Sequence, residues 1–263
     1  MKKLFLFVTA IALTLASCSN DKEVETPFTD NSGVIEFRTL TDKESKSGHT
    51  RAAITDETNI LSFTVTGIKK EGVNDDGYLF NGFGITRGED NSWDYTPKRF
   101  WPKNRTVDFY AYSPSSSRNV STGITGYTGG SIAYTVPKIE KTNAQEDFLV
   151  ARLTNMDESK GAVKLNFHHA LSRIMFFART TQSNVIYTID EIELINLYTS
   201  GELDLTDARI KETGSLNYSS PLQPWAETGA KDNYTVDMGN SPIYLLTDYA
   251  SVLGETNAIM VLP

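Results

Sequence analysis

Leu61-Ser62-Phe63-Thr64-Val65-Thr66 alternates apolar with hydroxylated side chains through three full periods. Successive side chains on a strand point to opposite faces, so this stretch predicts a half-buried β-strand with Leu61, Phe63 and Val65 on the core side. The same texture recurs outward from it. On the C-terminal side, Asn74-Asp75-Asp76-Gly77 has turn chemistry, with Gly77 free to take a positive φ. Extended runs follow at 78–85, 92–95, 107–112, 132–136 and 148–151, with Gly88-Glu89-Asp90-Asn91 as another turn. On the N-terminal side stands Val34-Ile35-Glu36-Phe37-Arg38, alternating again. With 34–38 and 60–66 included, seven short strand candidates precede residue 152 and no long helical period interrupts them. That pattern predicts a β-sandwich.

Asn155-Met156-Asp157-Glu158-Ser159-Lys160-Gly161 is polar and turn-rich, and is expected to separate two domains, 52–157 and 158–263. Val163, Leu165 and Phe167 open a second β series that continues through 174–178, 189–197, 234–238, 243–246 and 258–262. The fold class is therefore all-β, two β-sandwich domains in tandem. Six candidates fill the second series and it stops on an apolar run before Pro263, so the second sandwich is expected to be incomplete in this chain.

Composition narrows the function classes. The chain has 263 residues, 25 basic against 33 acidic groups, and a formal net charge of −8. No stretch concentrates Lys or Arg, which argues against a nucleic-acid partner. Residues 1–17 have the layout of an export signal: Lys2-Lys3, an apolar run over 4–13, then Leu15-Ala16-Ser17 before Cys18. Leu-Ala-Ser-Cys resembles a bacterial lipobox, which implies cleavage between Ser17 and Cys18 and lipid on the Cys18 thiol. Acyl chains contribute about 0.8 kcal/mol per buried methylene, enough for a multiply acylated Cys18 to hold the chain firmly at a membrane. Cys18 is the single cysteine, so no intramolecular disulfide is expected. Residues 18–51 read as a polar tether that carries the first strand. Within it, Ser19-Asn20-Asp21-Lys22-Glu23 loosely resembles an acidic surface-export stretch.

Catalytic and metal chemistry find little support. His168 and His169 are adjacent, so on a strand they face opposite ways and cannot chelate together. No Gly-x-Ser-x-Gly elbow, phosphate loop or dinucleotide fingerprint occurs. No cofactor and no enzymatic activity are expected. Trp93, Tyr95, Phe100 and Trp101 could stack on a sugar, but their spacing suits a sandwich core with one ordered loop better.

Three segments together resemble the fimbrillin-like family, the lipoprotein-precursor subunits of protease-assembled (type V) pili. The first runs Trp93-Asp94-Tyr95-Thr96-Pro97-Lys98-Arg99-Phe100-Trp101-Pro102 and on to Asp108-Phe109-Tyr110-Ala111-Tyr112. The second is Gln145-Glu146-Asp147-Phe148-Leu149-Val150-Ala151, and the third is Phe167-His168-His169-Ala170-Leu171-Ser172-Arg173-Ile174, with His169 at the family's histidine position. The resemblance implies two transthyretin-like sandwiches and export as a lipoprotein. It also implies removal of the N-terminal segment, first strand included, by an arginine-specific protease. A strand from a neighbouring pilin subunit then fills the open groove. Arg51, before Ala52, lies where such a cut would fall. In 34–38, Ile35 and Phe37 would fill the groove while Val34, Glu36 and Arg38 face away. The competing expectation is a permanently lipid-anchored surface module that recognises glycan or host protein.

Overall fold

The computed structural model describes residues 33–41, 59–125, 130–138, 145–206, 210, 225–239, 241–248, 250–252 and 258–263. Ser17, Cys18, Arg51 and Ala52 lie outside the described residues.

A seven-stranded sheet organises the chain. In spatial order it runs β1 (Phe37–Thr41), β9 (Val163–His169), β8 (Leu149–Met156), β5 (Thr106–Ser113), β2 (Ser62–Glu71), β3 (Asn74–Arg87) and β4 (Trp93–Asp94). Every neighbouring pair is antiparallel except β1 and β9, which run parallel. The half-buried strand expected at 61–66 is corrected in two respects. Phe63 and Val65 are buried, but Thr64 and Thr66 on the opposite face are buried as well, and Leu61 precedes the strand and is 72% exposed. The reason is position: β2 lies inside the sheet, so Phe63 and Val65 enter a core on one face while Thr64 and Thr66 on the other are flanked by β3 and β5. The expected turn at 74–77 also moves. The hairpin turns at Gly72-Val73, with Gly72 at φ 64°, and Gly77 takes its positive φ of 83° inside β3, where the pairing register with β2 shifts.

Two hydrophobic cores lie on the two faces. One gathers Phe63, Phe80, Tyr95, Phe109, Leu165 and Phe167. The other gathers Ile68, Tyr110, Tyr134, Phe148, Trp225 and Tyr234. β5 feeds both, Val107, Phe109 and Ala111 to the first and Tyr110 with half-buried Tyr112 to the second. Over the second core lies a four-stranded sheet, β6 (Val120–Thr125), β7 (Ser131–Thr135), β14 (Ser200–Asp204) and β15 (Trp225–Glu227). Tyr134 stacks on Phe148 with centroids 4.2 Å apart. A Cβ on Gly130 would fall 2.6 Å from Tyr110 Cδ1, so only glycine admits this approach.

The polar stretch 155–161 is a tight connection between β8 and β9, neighbours in one sheet. Asn155 (φ 56°) and Gly161 (φ 75°) take left-handed geometry around a 3-10 turn, Glu158–Lys160, whose first turn the Asp157 carboxylate caps. Strand pairing crosses residue 157 here and again where β7 pairs with β14. Beyond β9, successive pairs nest as one interrupted antiparallel ribbon. They are β10 (Ser172–Ile174) with β19 (Ile259–Val261), β11 (Phe177–Ala178) with β18 (Ala250–Ser251), β12 (Thr188–Ile189) with β17 (Ile243–Tyr244), and β13 (Glu191–Tyr198) with β16 (Lys231–Asp237).

Candidate functional site

The expected first strand occupies one edge of the large sheet, and its backbone is held from two sides in turn. Gly33 O accepts from Trp101 N–H at 2.9 Å, Ile35 N–H donates to Arg99 O at 2.9 Å, and Val34 forms an isolated antiparallel bridge with Phe100. The chain then changes partner. Glu36 O accepts from Val163 N–H at 2.8 Å, and Phe37–Thr41 runs parallel to β9 in the register Phe37↔Val163 through Thr41↔Phe167. The regular strand is thus offset three residues from the expected 34–38. Parallel pairing is slightly weaker per residue than antiparallel.

Side chains follow the expected alternation. Ile35 and Phe37 are 0% and 4% exposed, while Glu36 and Arg38 face outward. Val34 is half-buried and Leu40, further along, is 39% exposed. Phe37 sits at the centre of an aromatic nest. Its ring meets Phe63 (5.7 Å), Phe80 (5.5 Å), Tyr95 (5.7 Å) and Phe109 (5.9 Å), all edge-on. Each such pair contributes about 0.5–1.5 kcal/mol beyond the area it buries. The Tyr95 hydroxyl donates to Ile35 O at 2.7 Å, and burial holds that phenol above its ordinary pKa. Register also sets Arg38 beside Lys164, a neighbour of like charge.

The family-motif residues divide between the two faces. Trp93 packs edge-on against Phe63 at 4.9 Å and Trp101 against Phe109 at 6.0 Å, so both support the nest. Tyr110 and Tyr112 point to the opposite face. Pro102 lines a polar cleft with Lys70, Arg105 and Asp157. His169 Nδ1 lies 2.9 Å from Asp147 Oδ1, and fully buried His168 lies 3.2 Å from the Asn166 amide. Among the described residues no group of three His, Cys, Asp or Glu side chains converges as a metal site would need. Of the aromatic run, Phe100 alone is largely exposed, at 56%. Sequence reasoning missed Tyr95 and the 99–101 backbone as the outer wall of this seat. The signal available was the WDYTP stretch, but nothing local shows that its tyrosine reaches back 60 residues.

A family model described as fimbrillin-like matches residues 50–255. The chain belongs to the fimbrillin-like family. The match begins after the first-strand segment. Among solved structures, this fimbrillin-like chain is similar to a fimbrial protein from Bacteroides vulgatus ATCC 8482, with 17% identity, TM-score 0.59, and coverage of 88% of this chain and 77% of that one. It is also similar to a candidate cell adhesion protein from Bacteroides ovatus ATCC 8483, with 15% identity, TM-score 0.45, and coverage of 88% and 95%. Among curated proteins no sequence matches.

Proposed function

We propose that this fimbrillin-like chain is a non-enzymatic subunit of a cell-surface fimbrium. The export signal 1–17 is removed between Ser17 and Cys18, and lipid on Cys18 anchors the precursor in the outer membrane. Cleavage between Arg51 and Ala52 then frees residues 18–51 from the folded remainder. Losing 33–41 leaves the β9 edge without its partner and the hollow around Phe63, Phe80, Tyr95 and Phe109 without Ile35 and Phe37. An unpaired edge beside an apolar slot is a template for another strand. A strand from a neighbouring pilin subunit fills it and joins the two.

The single observation that supports this reading is the seat of Phe37. An edge strand inserts two large apolar side chains into a core built by other segments, and does so in the weaker parallel sense. An incoming antiparallel strand would gain better-aligned hydrogen bonds, each worth about 1 kcal/mol net.

The purified precursor, treated with an arginine-specific protease, provides the test. Loss of 18–51 with a shift from monomer to polymer by light scattering is the expected result. Cleavage that leaves a monomer whose segment 33–41 stays bound would contradict strand exchange.

A further inference from the structure

On the face of the large sheet opposite the Phe37 seat, β2, β3 and β5 enclose a groove of ≈ 360 Å³. Thr64 and Thr66 line it and are 8% and 2% exposed. Where a hydroxyl borders a groove, a ligand hydroxyl entering it can take the place of water.

The β3 side is shaped by a bulge. Asn81 and Gly82 together oppose the single residue Thr66, because Val65 pairs with Phe83 and Gly67 with Phe80. Gly82 takes φ 65°, and bulges of this kind re-aim side chains beside binding sites. Gly84, next to Thr64 in register, has ordinary φ, and a Cβ built there meets nothing within 4 Å. The glycines therefore leave open space directly above the strand.

Tyr112 and Ser115 complete the lining, so the groove offers hydroxyls, one amide and one aromatic ring, and no Asp, Glu, Lys, Arg or His. A cation or anion finds no counter-charge here, and the net charge of −8 repels anions further. A large apolar group would displace water from the threonine hydroxyls without replacing its hydrogen bonds. What fits is small, uncharged and rich in hydroxyls, with one apolar face for the tyrosine. We propose that this groove binds one neutral hexose or N-acetylhexosamine unit of a glycan. The site does not rest on strand exchange, since it lies on the other face of the sheet.

The test uses the full chain and a panel of neutral methyl glycosides (glucose, galactose, mannose, fucose and both N-acetylhexosamines) with sialic acid as the charged control. Saturation-transfer NMR reads binding, and an array carrying host-type glycans and bacterial polysaccharides distinguishes the two sources of such sugars. At least one neutral glycoside is expected to bind. Thr66→Val, which removes only the hydroxyl, and Gly84→Val, which fills the groove on a strand that favours valine, are each expected to weaken binding at least tenfold with Tm unchanged. Should either variant lose stability, Thr64→Val with the same readouts replaces it. No neutral sugar bound by the wild type, sialic acid bound alone, or binding that survives these substitutions would overturn the site.

Discussion

Phe37 is a phenylalanine whose four ring partners come from β2, β3, β5 and the loop after β4, so its loss is felt by the whole first core. Truncating a buried phenylalanine costs about 3–5 kcal/mol. Phe37→Ala is expected to destabilise the uncleaved chain by that amount in denaturant unfolding, whereas Leu40→Ala, on the open face of the same strand, is expected to stay within about 0.5 kcal/mol. Tyr95 adds a polar hold. Tyr95→Phe leaves Ile35 O without its donor and is expected to cost about 1–3 kcal/mol. Because burial raises the Tyr95 pKa above 10.0, the neutral phenol is favoured in the folded state. Its contribution is full below pH 10 and is lost as pH rises through the raised value. The alkaline limb of a stability–pH curve should therefore be shallower in Tyr95→Phe than in the wild type.

At the scale of the element, β1 is held by its apolar face, and register sets Arg38 beside Lys164. Replacing Arg38 by Glu converts the like-charge neighbour of Lys164 into an opposite one, worth about 0.2–1 kcal/mol. Arg38→Glu is expected to slow hydrogen exchange at the Val163 amide, which donates to Glu36 O, and unchanged or faster exchange would contradict the register. Elements of this kind were legible where chemistry was local. Ile35 and Phe37 inward with Glu36 and Arg38 outward follows from period two, and 107–112 is dense in β-formers. The parallel partner of β1 was not legible, because Phe37↔Val163 joins residues far apart in the chain and nothing local encodes it. β6 went unseen because Val120-Ser121-Thr122-Gly123-Ile124-Thr125 lacks a clear apolar face. The groove was hidden for a related reason: Gly82 and Gly84 read as weak points in a strand, and only the bulge opposite Thr66 turns them into a floor.

At the scale of the molecule, one sheet serves two purposes on its two faces. The first face closes over a segment that enters from the N-terminal side, and the second packs on the four-stranded sheet and leaves the hydroxyl-lined groove beside it. The polar stretch 155–161 reads as a boundary by composition, yet β8 and β9 pair across it and β7 pairs with β14 beyond it. Composition records solvent exposure of the turn and says nothing about which strands meet. The sequence resemblance implies a cut after Arg51, beyond the seated segment and at the start of the matched family span. Arg51→Ala is expected to leave export and membrane attachment intact while blocking assembly, read as loss of high-mass polymer from surface fractions. The most direct measurement is the N-terminal residue of the assembled protein recovered from the cell surface. Ala52 is the expected result, and acylated Cys18 on the assembled protein, with 33–41 still attached, would contradict the account.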